Sequence, residues 1–137
     1  MGLGNGESAL SGIDVSLRGG GVLECQARGY ISREIQIATY RAIDDILRRT
    51  AEPVLLLWDS LAVEGFEPGL PIALTRFLVR RVRRFSRAAV VARSLTILAV
   101  SRAARVLLPP FPYAVFADRS SALAFLEDHR ARPGMDE

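Results

Sequence analysis

Lysine is absent from the 137 residues, and all 18 basic side chains are arginine. That excludes a phosphate-loop lysine, a Schiff-base lysine and a lysine general base. Histidine and cysteine occur once each. His129 stands in the charged stretch EDHRARPG, which leaves a Ser–His triad without its base. A zinc site of Cys and His type lacks ligands, because Cys25 and His129 are single and far apart. One cysteine builds no internal disulfide framework, so a reducing, cytoplasmic setting is expected. No uninterrupted apolar run approaches the roughly 18 residues of a membrane span. The opening MGLGNGESALSG has neither the basic start nor the apolar stretch of a secretion signal. Carboxylates alone can still catalyse, but the expectation is a non-enzyme with no cofactor and no metal.

Half of the residues are hydrophobic and 24% are charged, a balance that folds rather than stays disordered. The length suits a single core. Residues 1–12, rich in Gly and Ser, read as a flexible lead-in, 13–130 as one domain, and 131–137 as a flexible tail. IDVSL and VLECQARGYI alternate apolar and polar residues around Gly19–Gly21, the pattern of a hairpin with one buried face. Ser32 offers a helix N-cap, followed by Ile35, Ala38, Thr39, Ala42, Ile43, Ile46 and Leu47 at helical spacing up to Pro53. VLLLWD is apolar without alternation, as in a parallel strand covered on both faces. A loop, SLAVEGFEPGLP, then a helix over about 72–86 and a strand at 88–92 are predicted. A strongly apolar third helix over 94–108, the strand YAVFAD and a last helix capped by Ser120 complete the order. The prediction is an α/β fold: a mostly parallel five-stranded sheet with an N-terminal hairpin and four helices.

This order resembles the STAS domain of bacterial anti-sigma-factor antagonists, and still more the STAS-like proteins compared with lipid-binding SEC14-type domains. The carriers are ARGYI (27–31), LLLWD (55–59) and VFADRSSALAFLE (115–127). The resemblance implies a signal-transduction module that binds a protein partner near the loop after the central strand. In phospho-regulated relatives that loop carries an acid followed by a phosphorylatable Ser or Thr. Aligning Asp59 with the strand-ending Asp puts Glu67 near the acid and Pro68 and Gly69 at the hydroxyl position. No Ser or Thr occurs between Ser60 and Thr75, so the usual phosphoacceptor is expected to be missing.

Charge is unevenly placed. Residues 68–117 hold nine arginines and no acid, +9, whereas the rest of the chain holds nine arginines and fifteen acids, −6. On the predicted helix 72–87, Arg76, Arg80, Arg83, Arg84 and Arg87 form one stripe, with Phe77, Leu78, Val82 and Phe85 on another face. Such a stripe is either a solvated face or a dock for an acidic partner, since the guanidinium fork suits carboxylates and phosphates. No aromatics interleave with the arginines for base stacking, which argues against nucleic acid.

Asp59 ends a central strand, where open α/β sheets place ligand crevices, or else caps the following turn. Glu64 and Glu67 are candidate paired acids without fixed geometry, RRFS (83–86) resembles a basic-directed kinase site, and Cys25 reads as a small core residue. The expected partner surface is therefore the loop 60–70 with the helix 72–87, carried by Asp59, Ser60, Glu64, Glu67, Arg76, Arg80, Arg83, Arg84 and Arg87. The apolar third helix leaves open a homodimer contact or an apolar, lipid-like ligand.

Overall fold

The computed structural model describes residues 11–93 and 113–131. Strands β1 (Gly12–Arg18) and β2 (Val22–Ile31) form the predicted antiparallel hairpin. Gly20 and Gly21 turn it at φ of 85° and 78°, a left-handed backbone that side chains resist. Helix α1 (Arg33–Arg48) follows, its start fixed by Ser32, whose hydroxyl accepts from Ile35 N at 3.2 Å. Next come β3 (Val54–Phe66), α2 (Leu70–Val79), a 3-10 turn (Val82–Arg84), β4 (Phe85–Val91), β5 (Tyr113–Phe116) and α3 (Arg119–Ala131). The strands lie side by side in sequence order, and every pair after the hairpin is parallel.

The centre of the sheet is buried on both faces, which is why VLLLWD lacks alternation. Leu23, Cys25, Leu56, Trp58, Ala88 and Val90 pack under Ile43 and Leu47 of α1 and Phe77 of α2. Val22, Leu55, Leu57, Ala89 and Val91 pack under Ala122 and Leu126 of α3. A fully buried leucine such as Leu57 contributes about 1.5–3 kcal/mol of hydrophobic transfer.

Four expectations are corrected. The helix expected to Ser86 ends at Val79, and β4 begins at Phe85 rather than 88. An unbroken helix would crowd like charges along one stripe. Instead Arg81 and Arg84 turn inward to partners on α1, and Phe85 enters the core opposite Val54. The loop after Asp59 is strand as far as Phe66, because β2 continues beside it to Ile31. Two extra residues in this part of β3 are absorbed as irregularities near Ser60–Leu61 and at Glu64. Asp118, not Ser120, caps α3, accepting from Ser121 N at 2.8 Å. Three helices are present among the described residues; the fourth expected one, 94–108, lies outside them.

Candidate functional site: the β3–α2 corner and the helix layer

β3 turns into α2 through Glu67, Pro68 and Gly69. Gly69 sits at φ 87° as the N-cap and offers no side-chain cap, while Pro71 occupies the first turn, where a missing N–H costs nothing. Glu67 is held: its Oε2 accepts from Arg33 N at 2.8 Å, tying the corner to the start of α1. Glu64 is exposed and has no partner among the described residues. Thr75 donates to Pro71 O at 3.0 Å within α2.

Asp59 and Ser60 sit beneath this corner rather than on it, 4% and 5% exposed. They point to opposite faces of the sheet. Asp59 Oδ1 accepts from Leu61 N at 3.0 Å, bridging the first irregularity of β3, and Oδ2 pairs with Arg119 Nη1 at 3.1 Å. The same guanidinium pairs with Glu24, whose other oxygen meets Arg18 Nη1 at 3.2 Å. This buried acid–arginine chain has only a faint signal in the sequence, a Glu in phase with Val22 at the buried start of β2. Ser60 donates to Val91 O at 2.8 Å on the other side.

The arginines of the expected stripe divide into two groups. Arg84 Nη2 donates to Leu47 O at 3.1 Å and Thr50 O at 2.7 Å, capping the carbonyl end of α1. Arg87 lies over the Phe125 ring at 4.4 Å and donates to Phe125 O at 2.9 Å. Arg81 joins Asp44 at 2.5 and 2.8 Å while lying 3.7 Å over Phe77. Arg76, Arg80 and Arg83 are exposed and without a partner among the described residues. The single stripe of five is thereby corrected: three point outward, and Arg84 and Arg87 belong to the fold.

A pocket of about 80 Å³ lies between the sheet and the α1–α2 layer, walled by Ile13, Trp58, Phe66, Leu74 and Leu78. Its polar groups are Gln36, Ser60 and Thr75. Gln36 Nε2 is engaged by Leu70 O at 2.9 Å and Tyr40 OH at 2.6 Å. Burial pushes the Tyr40 hydroxyl above its usual range, against the opposing effects of Gln36 and Arg81. Burial, reinforced by Glu24, likewise raises the Cys25 thiol and makes it a poor nucleophile. No described helix is long and apolar enough to cross a membrane.

Comparison with solved structures places this architecture among known ones. An uncharacterised protein of the DUF3478 family with a SpoIIAA-like fold, from Shewanella loihica PV-4, superposes at a TM-score of 0.68 with 19% identity. The match covers 85% of this chain and 95% of that one. The anti-sigma factor antagonist SpoIIAA in its unphosphorylated form is similar at a TM-score of 0.60 and 13% identity, over 84% of this chain and 97% of that one. Among curated proteins none matches. The SpoIIAA-like family model matches residues 22–127, from the start of β2 well into α3, and the chain belongs to that family.

Proposed function

We propose that this chain is a non-catalytic regulatory or scaffolding module that binds a protein partner through the β3–α2 corner and the outward face of α2. Three exposed guanidinium groups, on Arg76, Arg80 and Arg83, carry the reading: they neutralise nothing among the described residues and favour an acidic partner. Glu64 and Glu67 border this surface. Asp59, Ser60, Arg84 and Arg87 serve it from beneath, holding β3, α1 and α3 in place. The corner residues Pro68 and Gly69 have no hydroxyl, and Ser60 is buried, which supports control without phosphorylation there.

The test is quantitative capture from extract of the native host, with the chain as bait. Arg76→Glu/Arg80→Glu/Arg83→Glu abolishes the specific partner while circular dichroism stays unchanged; undiminished capture overturns the reading. Intact mass of the chain purified from that host shows no phosphorylated form.

A second reading rests on the pocket under α2. Its volume is several times the ~10–15 Å³ that one water needs, and its wall is mostly aliphatic and aromatic. That suits a small apolar ligand. Native mass spectrometry finding only the bare chain removes this alternative.

A further inference from the structure

Helices α1 and α2 lie side by side and run the same way. Gln36 meets Leu70, Tyr40 stacks on Phe77 with centroids 4.2 Å apart, Asp44 pairs with Arg81, and the Leu47 carbonyl receives Arg84. Each step along α1 is matched by a step along α2 and the 3-10 turn after it, so the solvent faces form two parallel ridges with a shallow groove between them.

Both ridges carry the same chemistry. On α1, Arg33, Ile37 and Arg41 are spaced by four and all exposed. On α2 and its C-cap, Ile72, Arg76 and Arg80 repeat that spacing, also all exposed, with Arg83 following in the 3-10 turn. Neither side chain of Arg33 and Arg41 has a partner among the described residues. Nearby acids are largely spent. Asp44 is paired with Arg81, Asp45 with both Arg48 and Arg49, and Glu67 receives the Arg33 amide. Of the three acids of α1, Glu34 alone is exposed and without a partner among the described residues. Ile37 and Ile72 are 38% and 55% exposed, an apolar group on each ridge.

We infer that this two-helix groove receives an amphipathic acidic helix of the partner, with a Leu-rich seam over Ile37 and Ile72 and a row of carboxylates against each arginine ridge. The inference rests on the proposed partner binding and names the partner's chemistry. Helix axes packed side by side are about 8–10 Å apart. A third helix, about 10 Å across with side chains, fits between two such ridges and reaches both at once. Two arginine rows flanking apolar residues match the two charged rows that flank a coiled-coil seam. The sequence pattern points to a stripe on the second helix alone and gives no role to Arg33 and Arg41. The ridge on α1 emerges only when the fold sets the two side by side.

The probe is a synthetic peptide of about five helical turns, with Leu at heptad positions a and d and Glu at e and g. Its composition-matched isomer carries the same Glu residues at b, c and f. Vesicles containing phosphatidylserine form a third arm. Fluorescence anisotropy with the full chain shows the first peptide bound at least about tenfold more tightly than its isomer, and more weakly as salt screens the charges. Arg33→Glu/Arg41→Glu, confined to α1, lowers that binding at least about tenfold, and the milder Arg33→Ala/Arg41→Ala weakens it with the fold intact by circular dichroism. Equal binding of both peptides, an unaffected α1 variant, or preference for vesicles overturns the groove. If the α2 triple variant loses the native partner while the α1 variant keeps it, the groove fails and partner binding through α2 stands. If both variants keep the partner, both readings fail.

Discussion

Arg119, the first residue of α3, reaches under the sheet to Asp59 at 3.1 Å and to Glu24 with the same guanidinium. A cation at a helix N-terminus opposes the helix dipole, so its place there is explained by the two carboxylates it serves. Glu24 and Asp59 are nearly buried, whereas the Arg119 side chain is 33% exposed. Among the described residues, removing the arginine leaves Asp59 with no cation and Glu24 with Arg18 alone, both with little solvent. Arg119→Met therefore destabilises by about 2–3 kcal/mol, below the ~3–5 kcal/mol of a fully enclosed pair because water reaches the guanidinium. Urea unfolding measures it. The double variant Asp59→Asn/Arg119→Met recovers part of the loss, because Asp59 is the acid left without a cation and Asn still accepts from Leu61 N.

Arg83 and Arg84 are neighbours with opposite fates, and substitution separates them. Arg84→Ala uncovers the carbonyls of Leu47 and Thr50 and costs about 1–2 kcal/mol, the range of hydrogen bonds from a charged donor after partial exposure. Arg83→Ala stays within about 0.5 kcal/mol of wild type, as exposed substitutions do. Thermal unfolding of the two variants side by side is the check. Equal losses contradict the division of the arginines into structural and outward groups.

That division shows what the sequence could and could not disclose. The hairpin, the α1 cap and the double-faced β3 were legible because each rests on local pattern: alternation, Ser32 before a periodic run, and an apolar run without alternation. The end of α2 was not. VRRVRRF is compatible with helical spacing, and only contacts with residues 37 positions earlier, at Asp44 and Leu47, decide where the chain straightens. The extension of β3 was obscured by Gly65, Pro68 and Gly69, although Leu61, Ala62, Val63 and Glu64 do alternate in exposure. Of the candidate site, the abundance of arginine was visible, but not which groups turn inward, since that depends on which carbonyls and carboxylates the neighbouring elements bring within reach.

Cys25 gives a probe of the core that needs no mutation. The thiol is fully enclosed between β1 and β3, and burial together with Glu24 raises it, so almost no thiolate exists near neutral pH. Native protein at pH 8 is expected to resist iodoacetamide, and its labelling rate should track unfolding as denaturant is added. Rapid labelling without denaturant contradicts the packing of the sheet against α1.

Asp118 contributes to the acid limb of the stability of α3. The Ser121 amide, then the Ser121 hydroxyl, holds its carboxyl below the ordinary Asp range, with a smaller contribution from Arg93. A folded value below the unfolded one means that unfolding takes up a proton. The stabilisation is complete above the unfolded value near about 4, and declines as pH falls through the lower folded value. Carbon-detected NMR titration of the side-chain carboxyl should place its midpoint below that of an unfolded reference peptide. Asp118→Asn keeps an acceptor for the Ser121 amide and so keeps the helix start, but removes the titration. The variant's helix content should therefore lose less on acidification than the wild type's, and an equal loss would contradict the role of Asp118.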